Sequence, residues 1–437
     1  MPVVINEARA HARRFALDID FAGWPPNGNG ELADLWRRVW FTLGALVVYR
    51  LSTFLPIPGI DLIALSRFFQ QRGWGFLGLI DLLGGGGAHR FSIATVGIAP
   101  YISALVIVQL ASYVVPRLGG LAIEGPAGRR ALNQYARVLT VAIAGLQAIG
   151  IAILFRSAPG LIAVPGHTFE AVTVVTLIAG AIFVMWLAEQ ITERGVGDGA
   201  ILILACGIAT QLPFGLAIAL QQVRTGDLGI NWLPVTLATV AVIILLVVLV
   251  ERAVHRISVH DPVRAPGSAG ARTGYAPLSL PLNPSGVLAP VAASVFVAPL
   301  RGIVAGIGER GSSWLERLAN SRMSYVVIEG LLILFFAIVC GLAAFDPDET
   351  ARKLKESGGW IPGLRPGDNA TRYLRLTRAA LTLTGALYLI TVCVLPDIVY
   401  RSLHLPLPFS GFSFFLLAWV MVRILDRMQP FVRRQRP

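Results

Sequence analysis

The sequence predicts an all-α, polytopic membrane protein of ten transmembrane helices, and three observations carry that prediction. Of its 437 residues 55% are hydrophobic and only 14% charged, where a soluble domain carries about 25% charged residues; mean hydropathy is +0.68. Ten apolar runs approach the roughly 20 residues that cross about 30 Å of hydrocarbon as a helix. Arg and Lys are distributed unevenly between alternate connections, as they are when one side of a membrane collects positive charge.

Residues 1–34 are a polar tail with Pro25, Pro26 and alternating Gly and Asn, without the apolar core of a cleavable signal. The spans follow near 36–56, 93–116, 135–155, 168–189 and 199–221, then near 232–251, 287–305, 324–345, 379–399 and 409–427. Residues 35–230 thus form a first half and 231–427 a second, with 428–437 as a short tail. Of the 37 Lys and Arg, 25 fall on the side of the two termini and 10 on the other, with Arg50 and Arg423 inside spans. Both termini are therefore expected in the cytoplasm. Five spans followed by five of opposite orientation is the pattern of two inverted halves.

One stretch fits no ordinary span. IDLLGGGGAHRFSIATVGIAPYIS, Ile80 to Ser103, sets Gly84, Gly85, Gly86 and Gly87 in a row, then an apolar run with Pro100 inside it. The segment before the glycines, near 74–90, is too short to be an eleventh span. Backbone of this kind is tolerated at membrane depth only where it is buried in protein or lines a water-filled cavity. Two cytoplasmic loops also exceed plain connectors. Residues 251–286 hold HRISVHDPVRAPGSAGARTGY. Residues 345–378 hold a polar, helix-like stretch followed by Trp360, Pro362, Gly363, Arg365, Pro366 and Gly367. The proline and glycine content with one aromatic predicts an ordered docking tip.

Composition also excludes chemistry. Cys206, Cys340 and Cys393 all lie in apolar runs and have no metal-ligand spacing. The six His residues stand singly, and neither paired carboxylates nor a Ser-His arrangement appears, so no enzyme and no cofactor is expected. The net charge of +12 is almost all Arg, since Lys353 and Lys355 are the only lysines. In a membrane protein such charge reports topology and lipid headgroups. The competing class is a secondary transporter with inverted repeats and a broken helix. It would carry an ionisable cluster at mid-membrane, whereas these spans read as nearly free of charge, Arg50 and Arg423 lying towards helix ends.

Six strings together resemble one family. They are WRRVWFTLGALVVYRLSTFLPIPGID (Trp36 to Asp61), GIAPYIS (Gly97 to Ser103), EGPAGRRALNQYARVLTV (Glu124 to Val141), MWLAEQITERGVGDG (Met185 to Gly199), GGWIPGLRPG (Gly358 to Gly367) and LTLTGALYL (Leu381 to Leu389). In order and spacing they resemble the SecY family, the channel subunit of the protein translocon, from about Trp36 to the last helix.

The resemblance implies a central protein-conducting channel in the bacterial inner (plasma) membrane. It passes unfolded polypeptides through a hydrophobic pore ring and releases transmembrane segments sideways, where spans two and three part from spans seven and eight. The segment before the second span becomes a plug, with Gly84 to Gly87 as its hinge. Ile98 and Ile102, Ala200 and Leu204, Val291 and Leu416 fall at the ring positions, Ala200 being smaller than usual there. Gln109 falls at a polar position of the lateral gate. Arg365, Arg252 and Arg256 fall on the cytoplasmic surface that docks the motor ATPase SecA and the ribosome. The implied partners are SecE and SecG, which complete a heterotrimer, with SecA, the ribosome, SecDF and YidC, and with client polypeptides, their signal sequences and membrane lipids. Asp198 stands where the family commonly has Asn, and Arg423 inside the last span is a further departure.

Overall fold

The computed structural model describes residues 31–61, 63–65, 67, 81, 84–123, 126–156, 162, 167–226, 232–260, 275–297, 322–356, 360–364, 368–402 and 410–433. Each of the ten apolar runs contains a helix. In the first half these are α1 (Glu31–Ser52), α2 (Ala99–Val114), α4 (Pro126–Arg156), α5 (His167–Arg194) and α6 (Gly199–Thr225), with the short α3 (Pro116–Ile123) between the second and third. In the second half they are α7 (Trp232–Arg252), α8 (Leu288–Val297), α9 (Arg322–Ala343), α11 (Asp368–Ser402) and α12 (Gly411–Arg433), with α10 (Pro347–Glu356) in a loop. Among the described residues six helices, α4, α5, α6, α7, α9 and α11, are long and apolar enough to cross a membrane, while α2 and α8 are shorter apolar helices. The chain is an all-α polytopic membrane protein.

Local chemistry sets the ends of several helices. The Asp198 carboxylate accepts from the backbone N–H of Ala200 (2.9 Å) and Ile201 (3.3 Å), capping α6, and Gly226 at φ +82° closes its other end. Asp346 caps α10 in the same way through Asp348 N–H, 2.9 Å. Acidic Asp348 and Glu349 in the first turn of α10 and Lys353 and Lys355 in its last match the helix dipole. Arg378 on α11 donates to the carbonyls of Leu342 (3.0 Å) and Phe345 (3.1 Å), pairing groups that the end of α9 leaves open.

Helices pack mainly within their half: α1 on α5 and α6, α2 on α4, and α4 on α5; then α9 on α11, α11 on α12, and α7 on α12. The halves meet along α6 and α12. Three apolar cores result. The largest lies inside the helix bundle and draws on both halves. A second gathers Ile57, Phe91, Phe155, Phe169 and Leu177 around the connection that follows α1.

The third core is outside the spans. The loop 251–286 opens as an antiparallel ribbon of β1 (Val254–His260) and β2 (Tyr275–Pro281), in register Ile257 to Leu278 and Val259 to Ala276. Side chains alternate across a strand, so Ile257, Val259, Leu278 and Leu280 share one face. That face packs on Phe345, Ala351, Ile361 and Leu374 of the loop 345–378. The described parts of the two long loops thus pack on one another. The ribbon is a finding that the Pro- and Gly-rich composition of its loop conceals: the prolines Pro277 and Pro281 sit on β2, which among the described residues pairs with β1 alone and so tolerates them.

Leu374 is fully buried in this third core. Leu374→Ala is expected to cost about 2–5 kcal/mol of local stability. It should expose loops 251–286 and 345–378 to limited proteolysis while leaving membrane insertion intact.

Candidate functional site

The six aliphatic ring positions named from sequence all lie buried in the bundle core. Ile98 is the residue before α2, and its carbonyl accepts from Ile102 N–H at 3.1 Å, so the two stack on one face of the first turn. Ala200 and Leu204, four apart, do the same at the start of α6. A cavity of about 10 Å³, room for about one water, is lined by Ile102, Leu105, Ala200, Ile201, Leu288 and Val291 among others. It lies where α2, α6 and α8 converge, and among the described residues no polar side chain lines it. The structure therefore brings Ile102, Ala200 and Val291 together around one apolar space. Ile98, Leu204 and Leu416 belong to the same core without lining that cavity, Leu416 on the helix α12 that packs against α6.

Next to this core, the chain between α1 and α2 turns back into the bundle. The four glycines Gly84 to Gly87 are all buried in a turn, followed by a 3-10 turn at Ala88–Arg90. Gly85 and Gly86 have φ of +65° and +83°, a region that side chains disfavour. A Cβ on Gly85 would stand 2.7 Å from the Tyr49 hydroxyl of α1 and 3.0 Å from the Gly207 Cα of α6. Gly207 is eight residues into α6, about 12 Å from its start at 1.5 Å per residue, so the turn sits well inside the bundle. Several of its peptide groups are paired. Gly86 N–H donates to the Asp81 carbonyl (2.8 Å), Arg50 Nη1 donates to the Gly85 carbonyl (2.6 Å), and the Gly87 carbonyl accepts from Ser92 N–H (2.9 Å) and Thr95 Oγ1 (3.1 Å). The glycine turn is thus a seated element in this structure. The remainder of the segment near 74–90, residues 74–80 and 82–83, lies outside the described residues.

Gln109 is half-buried two turns beyond Ile102 on α2, and its side chain hydrogen-bonds Tyr113 one turn on. Arg252 ends α7 and pairs with Asp426 at 3.2 Å, both about half exposed. Arg256 is exposed on β1, on the face opposite Ile257 and paired in register with Ser279. Arg365 lies outside the described residues; the turn leading to it, through Ile361 and Gly363, carries φ +84° at Gly363 and a Leu364 N–H to Ile361 carbonyl bond of 3.0 Å.

Two departures from the family pattern gain a structural role. Asp198 is the helix cap described above. Arg423 lies 5.0 Å over the Trp419 ring and 3.9 Å from Glu251. The Glu251 side chain, 4% exposed, accepts from Asn283 Nδ2 (2.9 Å) and Trp419 Nε1 (3.1 Å). It therefore ties the end of α7, the segment after β2 and the last span together.

The expectation of spans nearly free of charge needs correction. Glu329 in α9 and Asp397 in α11 are buried, as is Asp81 in the re-entrant stretch. Asp397 Oδ1 accepts from Gly411 N–H at 2.7 Å, fastening the end of α11 to the start of α12. Apolar run length hides single acids because each is diluted by its neighbours. The signal that finds Asp81 is its place directly before Leu82, Leu83 and the glycines, a lone carboxylate in an otherwise apolar stretch.

Comparison with known proteins gives a consistent picture. Residues 92–425 match the model of the SecY family. The protein translocase subunit SecY of Escherichia coli K12 is 36% identical over 411 residues, covering 92% of this chain and 93% of the relative. A solved structure concerned with the plug domain of SecY, which stabilises the closed state of that channel, aligns at a TM-score of 0.56 and 16% identity over 92% of each chain. Sec61 in the canine ribosome–channel complex from the endoplasmic reticulum aligns at 0.57 and 17% identity, again over 92% of each. At these identities the two structures speak for the fold.

The cap on α6 yields a direct test. Asp198→Ala removes the acceptor of two N–H groups and is expected to lower stability by about 1 kcal/mol. Asp198→Asn keeps an acceptor there and should stay near the parent in a thermal unfolding scan of purified protein.

Proposed function

The chain belongs to the SecY family, and we propose that Ile98, Ile102, Ala200, Leu204, Val291 and Leu416 form the ring through which it conducts its clients. As a family member the protein is the central channel-forming subunit of the Sec translocase and moves polypeptides across the membrane. The observation that carries the ring is the apolar space shared by Ile102, Ala200 and Val291. A narrow aliphatic constriction holds no water file, so ions do not enter it; an extended chain passes because nothing in the ring binds it. Ala200 leaves the ring wider on the α6 side, and the glycine turn packed near Gly207 seals behind it.

In this reading the ten helices are ten spans in two inverted halves, with both termini cytoplasmic in a bacterial inner membrane. The segment near 74–90 is the plug and Gly84 to Gly87 its pivot. Gln109 belongs to the lateral gate, where apolar segments leave for lipid; each Leu, Ile, Phe or Val favours that exit by about 0.3–0.6 kcal/mol. The body made by loops 251–286 and 345–378 docks cytoplasmic partners. Sec61 in the canine structure is part of a ribosome–channel complex, and exposed Arg256 and Arg252 with Arg365 suit a phosphate-rich ribosomal RNA surface or acidic groups on the motor SecA. SecE and SecG complete the heterotrimer, and SecDF and YidC join it as accessory partners.

Polarity, more than volume, is expected to govern the ring. Ile102→Asn keeps much of the bulk but lets water in, so ion leak through the reconstituted complex and export of a substrate with a defective signal should both rise. Ile102→Leu conserves volume and should be nearly silent in both assays. A well-assembled Asn variant that neither leaks nor relaxes signal recognition refutes the ring. For the docking surface, Arg365→Glu should sharply reduce SecA-driven or ribosome-coupled transport without reducing the amount of inserted protein; normal transport by that variant removes Arg365 from the contact.

A further inference from the structure

We propose that Glu251 and Asn283 form a junction that sets where α8 and α12 stand, and with them the Val291 and Leu416 side of the channel constriction. The inference rests on the ring reading above and adds the residues that hold one side of that ring in place.

Glu251, at the end of α7, is 4% exposed, although its neighbour Arg252 is about half exposed. Its two carboxylate oxygens serve different segments. Oε1 accepts from Asn283 Nδ2 at 2.9 Å and Oε2 from Trp419 Nε1 at 3.1 Å. Along the first arm, Asn283 is itself buried and organises the turn that enters α8. Its Oδ1 accepts from Ser285 Oγ at 2.8 Å and from Gly286 N–H at 3.2 Å, and its Nδ2 also donates to the Gly286 carbonyl at 3.2 Å. Gly286 takes φ +58° there, and helical bonding starts at once, Val291 N–H donating to the Val287 carbonyl at 3.2 Å. Val287, Leu288 and Val291 are this segment's share of the apolar space described above. Along the second arm, Trp419 lies three residues after Leu416 and so on the same side of α12.

Two further contacts close the junction. Leu282 N–H donates to the Ala253 carbonyl at 3.1 Å, which pins the chain leaving the ribbon to the end of α7. Gly385 of α11, inside the LTLTGALYL string, leaves little room for a side chain: a Cβ there would stand 3.1 Å from Asn283 Oδ1 and 3.3 Å from its Cα. One carboxylate on a helix without a ring residue therefore gives two ring-bearing helices a common reference point. While α8 and α12 stand at their present spacing, the Asn283 amide and the Trp419 N–H share that acceptor. When the helices part, cytoplasmic water reaches the same groups. Loss of Glu251 thus weakens the closed spacing more than the open one. Glu251 and Asn283 do not line the apolar space; they are positioning residues that act through Val291 and Leu416.

The test measures ion leak per assembled channel in the reconstituted complex of the full chain, with the amount of assembled complex counted separately. Glu251→Leu removes both arms and is expected to raise leak on the order of tenfold, for the loss of buried bonds to a charged group. Trp419→Phe cuts the α12 arm alone and should leak less than Glu251→Leu. Glu251→Gln keeps an acceptor oxygen and should lie closer to the parent. Glu251→Leu combined with Trp419→Phe should not exceed Glu251→Leu, because that arm is already lost. A merely structural role would lower the amount of assembled complex and leave leak per channel at the parental value. An assembled Glu251→Leu with parental leak overturns the junction. If Ile102→Asn leaks in the same assay, the ring reading survives that failure; if Ile102→Asn is silent too, both fall. Should Glu251→Leu fail to assemble, Trp419→Phe decides by the same measurement, and parental leak in that variant overturns the proposal.

Discussion

Non-helical backbone inside a membrane has no water to bond with, so every amide and carbonyl it presents must find a partner in the protein. Asp81 and the stretch from Gly84 to Thr95, buried between helices, meet the same constraint. The chain reverses beside Gly207, between α1 and α6, and peptide groups of Gly85, Gly86 and Gly87 pair with Arg50, Asp81, Ser92 and Thr95. The four glycines follow from it as well. Two adopt backbone angles that other residues disfavour, and all four allow the turn to lie flat against Tyr49 and the α6 backbone. Phe91, at φ 46°, pays in strain for the reversal and is held by packing on Phe155 and Phe169.

The same economy governs the buried charges. Arg50 is spent on a carbonyl, Asp81 on an amide and a glutamine, Asp397 on the amide that starts α12, and Glu251 on Asn283 and Trp419. Each ion joins two segments far apart in sequence. Arg50 and Asp81 meet at the glycine turn while Asp397 and Glu251 join other segments, and among the described residues no cluster could hold a metal. The aliphatic space between α2, α6 and α8 is left without any polar lining, which is what a barrier to ions requires.

What could be read from sequence follows from the range of each interaction. The helices were visible because hydropathy is summed over twenty neighbours, and the Asp198 cap was within reach because its partners are two and three residues away. The ring positions came through the family resemblance, since Ile102, Ala200 and Val291 look like ordinary helix packing one at a time. The ribbon escaped because its alternation, Ile257 and Val259 against Leu278 and Leu280, is short and interrupted by prolines. The Arg50 to Gly85 and Glu251 to Trp419 bonds span 35 and 168 positions, and nothing local marks them. Glu329 and Asp397 leave little trace because a single acid barely lowers the mean hydropathy of a long apolar run.

The joined loops have a mechanical meaning. A ribbon fastened along its apolar face to Phe345, Ile361 and Leu374 bends as a beam, not as two strings. Its root is pinned by Glu251 to Trp419, one turn along α12 from Leu416. A load on these joined segments would reach α12, the helix that packs against α6, through the Glu251 to Trp419 bond.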